Sequence, residues 1–525
     1  MTQAHASGSI AGKKLDIAGH AELLVVGAGK AGLAAAIEAA RNGLQVTLVD
    51  ENPVAFETMG ESVPQLYGQR MTGAVRNRNA MMEAMLRASP EIETALELGV
   101  DVRLGAACWG LYLNTGNLGW LEKPVAGLAD DTEGTMLISF DHAIVATGRR
   151  DMGLAFPGWD QPGVMGATAA ATLSRLYGAL DGRRAVVLGT TAEALLAALE
   201  LADAGIEIAC VVEQADAPVA PAALVARLQE RDIDIRFGEV VRAVETDADG
   251  VRGVELSVGP VICDLVVLGI GAVPMIDLIA SAGARLVFDD RCGGFVPVLD
   301  AAMTTSFPNV KAVGDCAGIW PEKSIDPEIA AAEGRHAAAS LAGKAARAWA
   351  PPAGASYDLG AYRKDWVRSS VVEAAGEPYV CQCEEVSARE ILEVTPPRYL
   401  GWRAKANQPR SLSDILGGGP PEPDQIKRLT RAGMGPCQGR RCREQVQALL
   451  ALQENLPLDA IPLAGYRAPV RPLPLKAAIP ATEDPAITAL WDSWLGIPRQ
   501  WVPFWDVEDT YTVASLATEK DYVSE

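Results

Sequence analysis

The sequence predicts an α/β fold built on two nucleotide-type β-α-β units, followed by a small helical domain that carries cysteines and by an extended C-terminal tail. Three observations predict it. A glycine-rich turn lies between an apolar strand and an Ala-rich helix in Ala21 to Asp50. A second unit of the same design starts at Arg184. Four of the 9 cysteines are gathered as Cys381, Cys383, Cys437 and Cys442.

In the first unit, Leu23 to Val26 is an apolar run of strand length, and Gly27-Ala28-Gly29-Lys30-Ala31-Gly32 then spells G-x-G-x-x-G. Gly27 makes the tight turn, Gly29 lets a pyrophosphate approach the backbone, and Gly32 lets helix and strand pack closely. Phosphates would rest on free N–H groups at the helix start, where the dipole adds roughly half a positive charge. Gly43 stops the helix, and Asp50, with Glu51 beside it, ends the second strand where a ribose would be held. The loop alone specifies an ADP-type ligand, so other adenine nucleotides suit it too.

Length and charge narrow the remaining classes. With 525 residues, 49% hydrophobic and 22% charged, the chain reads as an ordinary globular protein of about three or four domains. Its 46 basic and 67 acidic residues give a formal charge of −21, which argues against nucleic acid or an anionic membrane as main partner. No run suggests a transmembrane segment, and the first 20 residues, a lead-in, lack the apolar core of a secretory signal. Cys108, Cys210, Cys263, Cys292 and Cys316 are scattered singly, as buried apolar residues of a cytoplasmic protein would be; the clustered four suggest a thiolate site for metal.

After Asp50 comes a polar loop without the cysteine pair of disulfide reductases. Residues 71–99 read as helical, with strands at Val100 to Leu113 and Thr135 to Phe140. Ala143 to Ala146 is a buried strand ending in Thr147-Gly148. Near Phe295 the first domain resumes; Val310 to Val313 is a strand ending in Gly314-Asp315, and Ala330 to Leu341 is a helix. A glycine loop, an Ala-Thr-Gly turn and a Gly-Asp turn in this order resemble the flavoproteins with two dinucleotide-binding domains. That resemblance implies FAD in the first domain, with Asp315 on its ribitol and pyrophosphate side.

The second unit is damaged at its fingerprint. Gly189 is kept, but Thr191 stands at the second glycine position and Ala194 at the third, while Glu193 puts a negative charge where phosphates would lie. Glu213 still suits a ribose. The expectation is a domain kept for shape, without bound NAD(P)H.

Residues 346–378, opening on ARAWAPPAGAS, read as a linker. Beyond it, Cys-x-Cys and Cys-x4-Cys have metal-ligand spacing, and helices starting at Ser387 and Pro423 would bring the two loops together. Zinc is one occupant of such a site. Gly433, Gly435 and Gly439 leave N–H groups free toward sulfur, and Arg440, Arg441 and Arg443 offset an anionic cluster. The CxC and GxCQGxxC pattern resembles the bacterioferritin-associated-ferredoxin-like [2Fe-2S] domain, with a longer gap of 53 residues between Cys383 and Cys437 whose excess, near Thr395 to Gly419, reads as an insertion. The expected organisation is 1–20 lead-in, 21–160 FAD domain, 161–294 NAD-like domain, 295–345 FAD domain again, 346–378 linker, 379–452 cluster domain and 453–525 tail. The tail holds Trp491, Trp494, Trp501 and Trp505 and is expected to lie across a neighbouring surface.

FAD motifs followed by this cysteine domain resemble the flavin and iron–sulfur subunit of bacterial multi-subunit amine dehydrogenases: opine oxidases, proline and hydroxyproline dehydrogenases, and hydrogen cyanide synthase. The resemblance covers Ala21 to Leu450. It implies that substrate oxidation takes place on a D-amino-acid-oxidase-like FAD subunit, often with a small ferredoxin-like third subunit, a downstream electron acceptor, and at most peripheral contact with the inner membrane through the complex. The chain itself would relay electrons. Its own catalytic residues are unknown at this point: His5, His20, His142 and His336 lie in no catalytic motif. Two alternatives stay open, a self-contained NAD(P)H-dependent FAD/[2Fe-2S] reductase and a non-enzymatic cluster-bearing scaffold.

Overall fold

The computed structural model describes residues 15–54, 70–114, 121–130, 134–344, 357–395, 411–420 and 422–473. Most of the lead-in, residues 55–69 of the loop after Asp50, residues 346–356 of the expected 346–378 linker, most of the expected insertion and the tryptophans of the tail lie outside the described residues. The chain divides into two compact units, Met1–Pro474 and Leu475–Glu525, and all that follows concerns the first.

Strand β1 (Gly19–Val26) leads through the glycine turn into helix α1 (Lys30–Arg41) and β2 (Val46–Asp50). The first body continues with β3 (Asp101–Leu104), β4 (Ala107–Tyr112), β5 (Val125–Asp130) and β6 (Gly134–Val145), and β7 (Arg149–Asp151) leaves it. The second body contains β8 (Val164–Gly166), β9 (Arg184–Leu188), α2 (Ala192–Asp203), β10 (Glu207–Glu213), β11 (Ile235–Phe237) and β12 (Leu265–Leu268). The chain returns through β13 (Ala272–Pro274) to β14 (Val310–Ala312) and α3 (Pro327–Leu341). Helices α4 (Leu359–Val367), α5 (Pro423–Thr430) and α6 (Arg443–Gln453) belong to the last part.

The first sheet runs β3-β2-β1-β6-β5-β4, with β14 also paired to β6. Register explains why three motifs meet. Val26 lies beside Val49 and Val145, and Val145 beside Ala312, all in parallel pairs, so the turns after Val26, Val145 and Ala312 leave the sheet at the same carboxyl edge. This is where open parallel sheets bind ligands. One expectation is corrected: the stretches 135–140 and 143–146 are a single strand. The polar pair Asp141-His142 does not break it, because β1 stays paired along its length while the other partner changes from antiparallel β5 to parallel β14.

The second sheet is parallel throughout, in the order β11-β10-β9-β12-β8. The short antiparallel pair β7–β13 carries the chain between the two sheets, and Met71 adds a bridge to Leu180. One face of the second sheet shares its core with the cysteine region: Val186, Leu188 and Val212 belong to one buried cluster with Trp159, Trp366, Val380, Cys381, Cys442 and Leu449. Each large side chain buried there contributes about 1.5–3 kcal/mol, so the two parts stabilise each other.

Candidate functional site

At the first loop the glycines divide into two kinds. Gly27 has φ 108, and a Cβ on it would lie 2.2 Å from the Ala146 carbonyl oxygen; a Cβ on Gly32 would lie 1.8 Å from the Gly27 carbonyl oxygen. These two are demanded by packing. A Cβ on Gly29 would meet nothing within 4 Å. Gly29 is the N-cap of α1, with no side chain capping the helix and no acid in its first turn, so no side chain among the described residues caps the positive end of α1. That is the cradle a diphosphate needs.

The other motifs close in on this cradle. A Cβ on Gly314 would lie 2.9 Å from Ala31, and Gly334 of α3 packs on the Ala31 carbonyl. Thr147 donates to the Met275 carbonyl at 2.7 Å, and Gly148 accepts from the Met275 N–H at 2.9 Å, fixing the turn to the return segment. The Gly314 N–H donates to Glu333 at 2.8 Å, and the buried Lys323 ties Glu333 to the Gly314 carbonyl at 2.9 Å. Asp50 takes the Ala28 N–H at 2.5 Å and the Asn52 N–H at 2.7 Å, so it braces the loop as well as edging the ribose position. Lys30 turns away to pair with Glu91, whose carboxyl it draws below its usual value. Asp315 faces Arg149 at 3.5 Å; burial works against that guanidinium's charge, but Asp315 and Glu193 outweigh it and hold its pKa up.

The second loop is sealed from within. Glu213, fully buried, accepts from the Thr190 N–H at 3.1 Å, the Thr190 hydroxyl at 2.5 Å, the Tyr362 hydroxyl at 2.8 Å and the Ala215 N–H at 3.1 Å. The acid that the sequence leaves available for a ribose is thus spent on the protein's own groups. Burial first, then Glu213, drives the Tyr362 phenol well above its usual pKa, so it stays a donor. Thr191 caps α2 by accepting the Ala194 N–H at 3.3 Å and donates to the Gly269 carbonyl at 2.9 Å. Glu193 takes the Ser324 hydroxyl at 2.6 Å and lies 3.6 Å from Arg149. Helix α4, arriving from the cysteine side, supplies Tyr362 and so occupies the strand-end acid.

The four clustered cysteines come together. Cys381 and Cys383 sulfurs are 3.9 Å apart, and Cys383 and Cys437 sulfurs 3.6 Å. Those spacings approach the roughly 3.8 Å edge of a sulfur tetrahedron around a metal bonded at about 2.3 Å. Yet among the described residues no group of three or more His, Cys, Asp or Glu is arranged to hold one metal ion. The Gly433 N–H donates to the Cys381 sulfur at 3.3 Å, and a Cβ on Gly435 would lie 2.5 Å from the Cys383 sulfur. The five scattered cysteines are buried, free and pushed up by burial, to about 11 for Cys210, Cys292 and Cys316.

Beneath the cysteine loop lies a frame that the sequence does not announce. Arg150 donates to the Arg440 carbonyl at 2.6 Å and to Glu444 at 3.0 and 2.5 Å. Asp277 sits 3.9 Å from Arg440 and 3.8 Å from Arg443. Arg441 lies over the Trp159 ring at 4.9 Å, and the Trp159 indole donates to the Tyr379 carbonyl at 2.7 Å. The Gln445 side chain accepts from the Ala155 N–H at 2.7 Å, and a Cβ on Gly153 would lie 2.4 Å from the Arg441 carbonyl oxygen. The only signal in the sequence is Arg149-Arg150 directly after the Thr147-Gly148 turn.

A model of the pyridine nucleotide-disulphide oxidoreductase family matches residues 21–342. The chain belongs to this family. It is therefore an oxidoreductase, and the family supports FAD as its cofactor. Unlike a disulfide reductase, it has no cysteine before Cys108, so no disulfide stands next to the first loop. It is 26% identical over 497 residues to the A subunit of opine oxidase from Agrobacterium tumefaciens (strain Ach5), covering 88% of this chain and 92% of that one. It is 26% identical over 500 residues to the alpha subunit of sarcosine oxidase from Corynebacterium sp. (strain P-1), covering 90% of this chain and 47% of that one. Its fold is like the crystal structure of L-proline dehydrogenase from P. horikoshii, with a TM-score of 0.58, 19% identity, and coverage of 89% and 81%. No helix among the described residues is long and apolar enough to cross a membrane.

Proposed function

We propose that this chain is the electron-relay subunit of a hetero-oligomeric dehydrogenase whose amine-type substrate, an opine, D-amino acid, proline or hydroxyproline, is oxidised on a partner flavin subunit. FAD would be held by Gly27 to Gly32, Asp50, Glu51, Thr147, Gly148, Gly314 and Asp315. A [2Fe-2S] cluster would be held by Cys381, Cys383, Cys437 and Cys442. The partners would be a downstream acceptor, a D-amino-acid-oxidase-like FAD subunit and a small ferredoxin-like subunit. Likeness to the opine oxidase A subunit over 92% of that chain supports the reading.

The observation that carries it is the attachment of the cysteine loop, through Arg150 and Glu444, to the strand that starts just past Thr147-Gly148. When bound, flavin and cluster would supply the redox chemistry that the protein positions and tunes. The chain's own residues do the rest. The open N-terminus of α1 receives the diphosphate. Arg149 orients Asp315, and the Gly433 N–H supports a thiolate. Arg150, Arg363, Arg440 and Arg443 are buried, and among the described residues only Asp277 and Glu444 pair with them as buried acids, an excess of positive charge that suits an anionic cluster.

The test is metal and acid-labile sulfide analysis with electron paramagnetic resonance of the reduced protein. About two irons and two sulfides per chain and a [2Fe-2S] signal are expected. Stoichiometric zinc without iron would overturn the cluster, and extraction of no adenine-containing cofactor would overturn the flavin.

A further inference from the structure

The described part of the C-terminal segment runs from the cysteine region to the first nucleotide loop, and each end is pinned by an arginine. Tyr466 lies under the Arg443 guanidinium, 3.7 Å from ring centroid to carbon. Arg440 donates to the Val470 carbonyl, and the Val470 N–H donates to the Trp109 carbonyl on β4 at 2.9 Å. The next residue, Arg471, pairs with Glu51, directly after the strand-end Asp50. The Arg471 side chain is only 18% exposed, and its burial draws its pKa down to about 10 against the pull of Asp50.

We propose that Arg471 is a nucleotide-binding residue outside every sequence motif, forming the wall of the adenosine end of the first site. The inference rests on reading that site as one for an adenine nucleotide. Both Asp50 oxygens already accept N–H groups of the loop and of Asn52. Glu51 is therefore the freer acceptor for a ribose hydroxyl, and the planar guanidinium fixes its carboxylate while offering a flat cationic face on which an adenine can stack. Because Val470 accepts from Arg440, an arginine between Cys437 and Cys442, the same segment transmits nucleotide binding to the cysteine loop.

The experiment is calorimetric titration of flavin-stripped full-length protein with ADP, and separately with FMN, which lacks the adenosine. In Arg471→Ala, ADP binding is expected to weaken about tenfold, the scale of one charge-assisted contact, with FMN binding unaltered. Arg471→Lys, which keeps the charge but not the plane, should recover part of the loss. Glu51→Gln, which leaves the arginine in place, should weaken ADP as well and covers the case in which the alanine variant fails to fold. Hydrogen exchange of residues 440–444 should slow with ADP in the unaltered protein and not in Arg471→Ala. ADP affinities equal to that of the unaltered chain in the folded variants overturn the inference alone. Absence of ADP binding by the unaltered chain overturns the nucleotide reading of the site, and this inference with it.

Discussion

The guanidinium of Arg150 grips the carboxylate of Glu444 at two points, 3.0 and 2.5 Å, in a pair of which neither side chain is more than 9% exposed. Such pairs are costly to break because one charge is left stranded. Burial opposes the Arg150 charge, and Glu444 and then Asp277 more than restore it. Glu444→Gln is expected to lower global stability by about 3–5 kcal/mol. Chemical denaturation is the check, and a loss under about 1 kcal/mol would show that the pair is relaxed by water.

The two kinds of glycine in the first loop should respond differently. Gly32→Ala puts a methyl 1.8 Å from the Gly27 carbonyl oxygen and should disrupt the fold around α1. The Cβ of Gly29→Val meets nothing within 4 Å, so this variant should leave the melting temperature of the stripped protein within a few degrees while flavin content collapses. Retention of flavin by a folded Gly29→Val protein would refute the cradle.

NADH and NADPH should neither bind tightly nor bleach the flavin, since Glu213 is saturated by Thr190, Ala215 and Tyr362. Anaerobic mixing with excess NADH, followed at the flavin absorption band, reads this directly. Tyr362→Phe should cost roughly 1–3 kcal/mol of stability by removing one donor from a buried acid. Rapid bleaching in the unaltered protein would instead favour a self-contained reductase.

The isolated chain should oxidise no opine, D-amino acid, proline or hydroxyproline, and dye reduction should appear only with a flavin partner subunit. Removing hydride from an amine carbon needs the substrate carboxylate clamped beside the flavin with water excluded. Arg149, which faces the Gly314-Asp315 turn, is already engaged by Asp315, Glu193 and Ser324. Robust turnover by the chain alone would move the active site here.

Much of this architecture is legible because it repeats simple patterns. Strand, glycine turn and Ala-rich helix recur with the right spacing, and cysteine pairs are visible wherever they fall. What the pattern hides depends on contacts between distant segments. Glu213 looks free for a ribose until Tyr362 arrives from another helix. Arg150 and Asp277 carry no periodic signal, because a buried ion pair is defined by its partner rather than by its neighbours in sequence. The join at Asp141-His142 is invisible for a related reason: alternation shows side chains, while strand continuity is held by backbone bonds to β1.

The carbonyl of Arg441 rests against Gly153, at a distance that leaves no room for even one methyl group. The cysteine segment is thus not a cartridge that could be lifted out or exchanged between proteins. Expressed without the residues around Met152 to Trp159, it would present a raw apolar face that the remainder of the chain normally covers. Loss or duplication of this segment in a lineage would have to carry the strand after the Thr147-Gly148 turn with it, so the two should be inherited as a single piece.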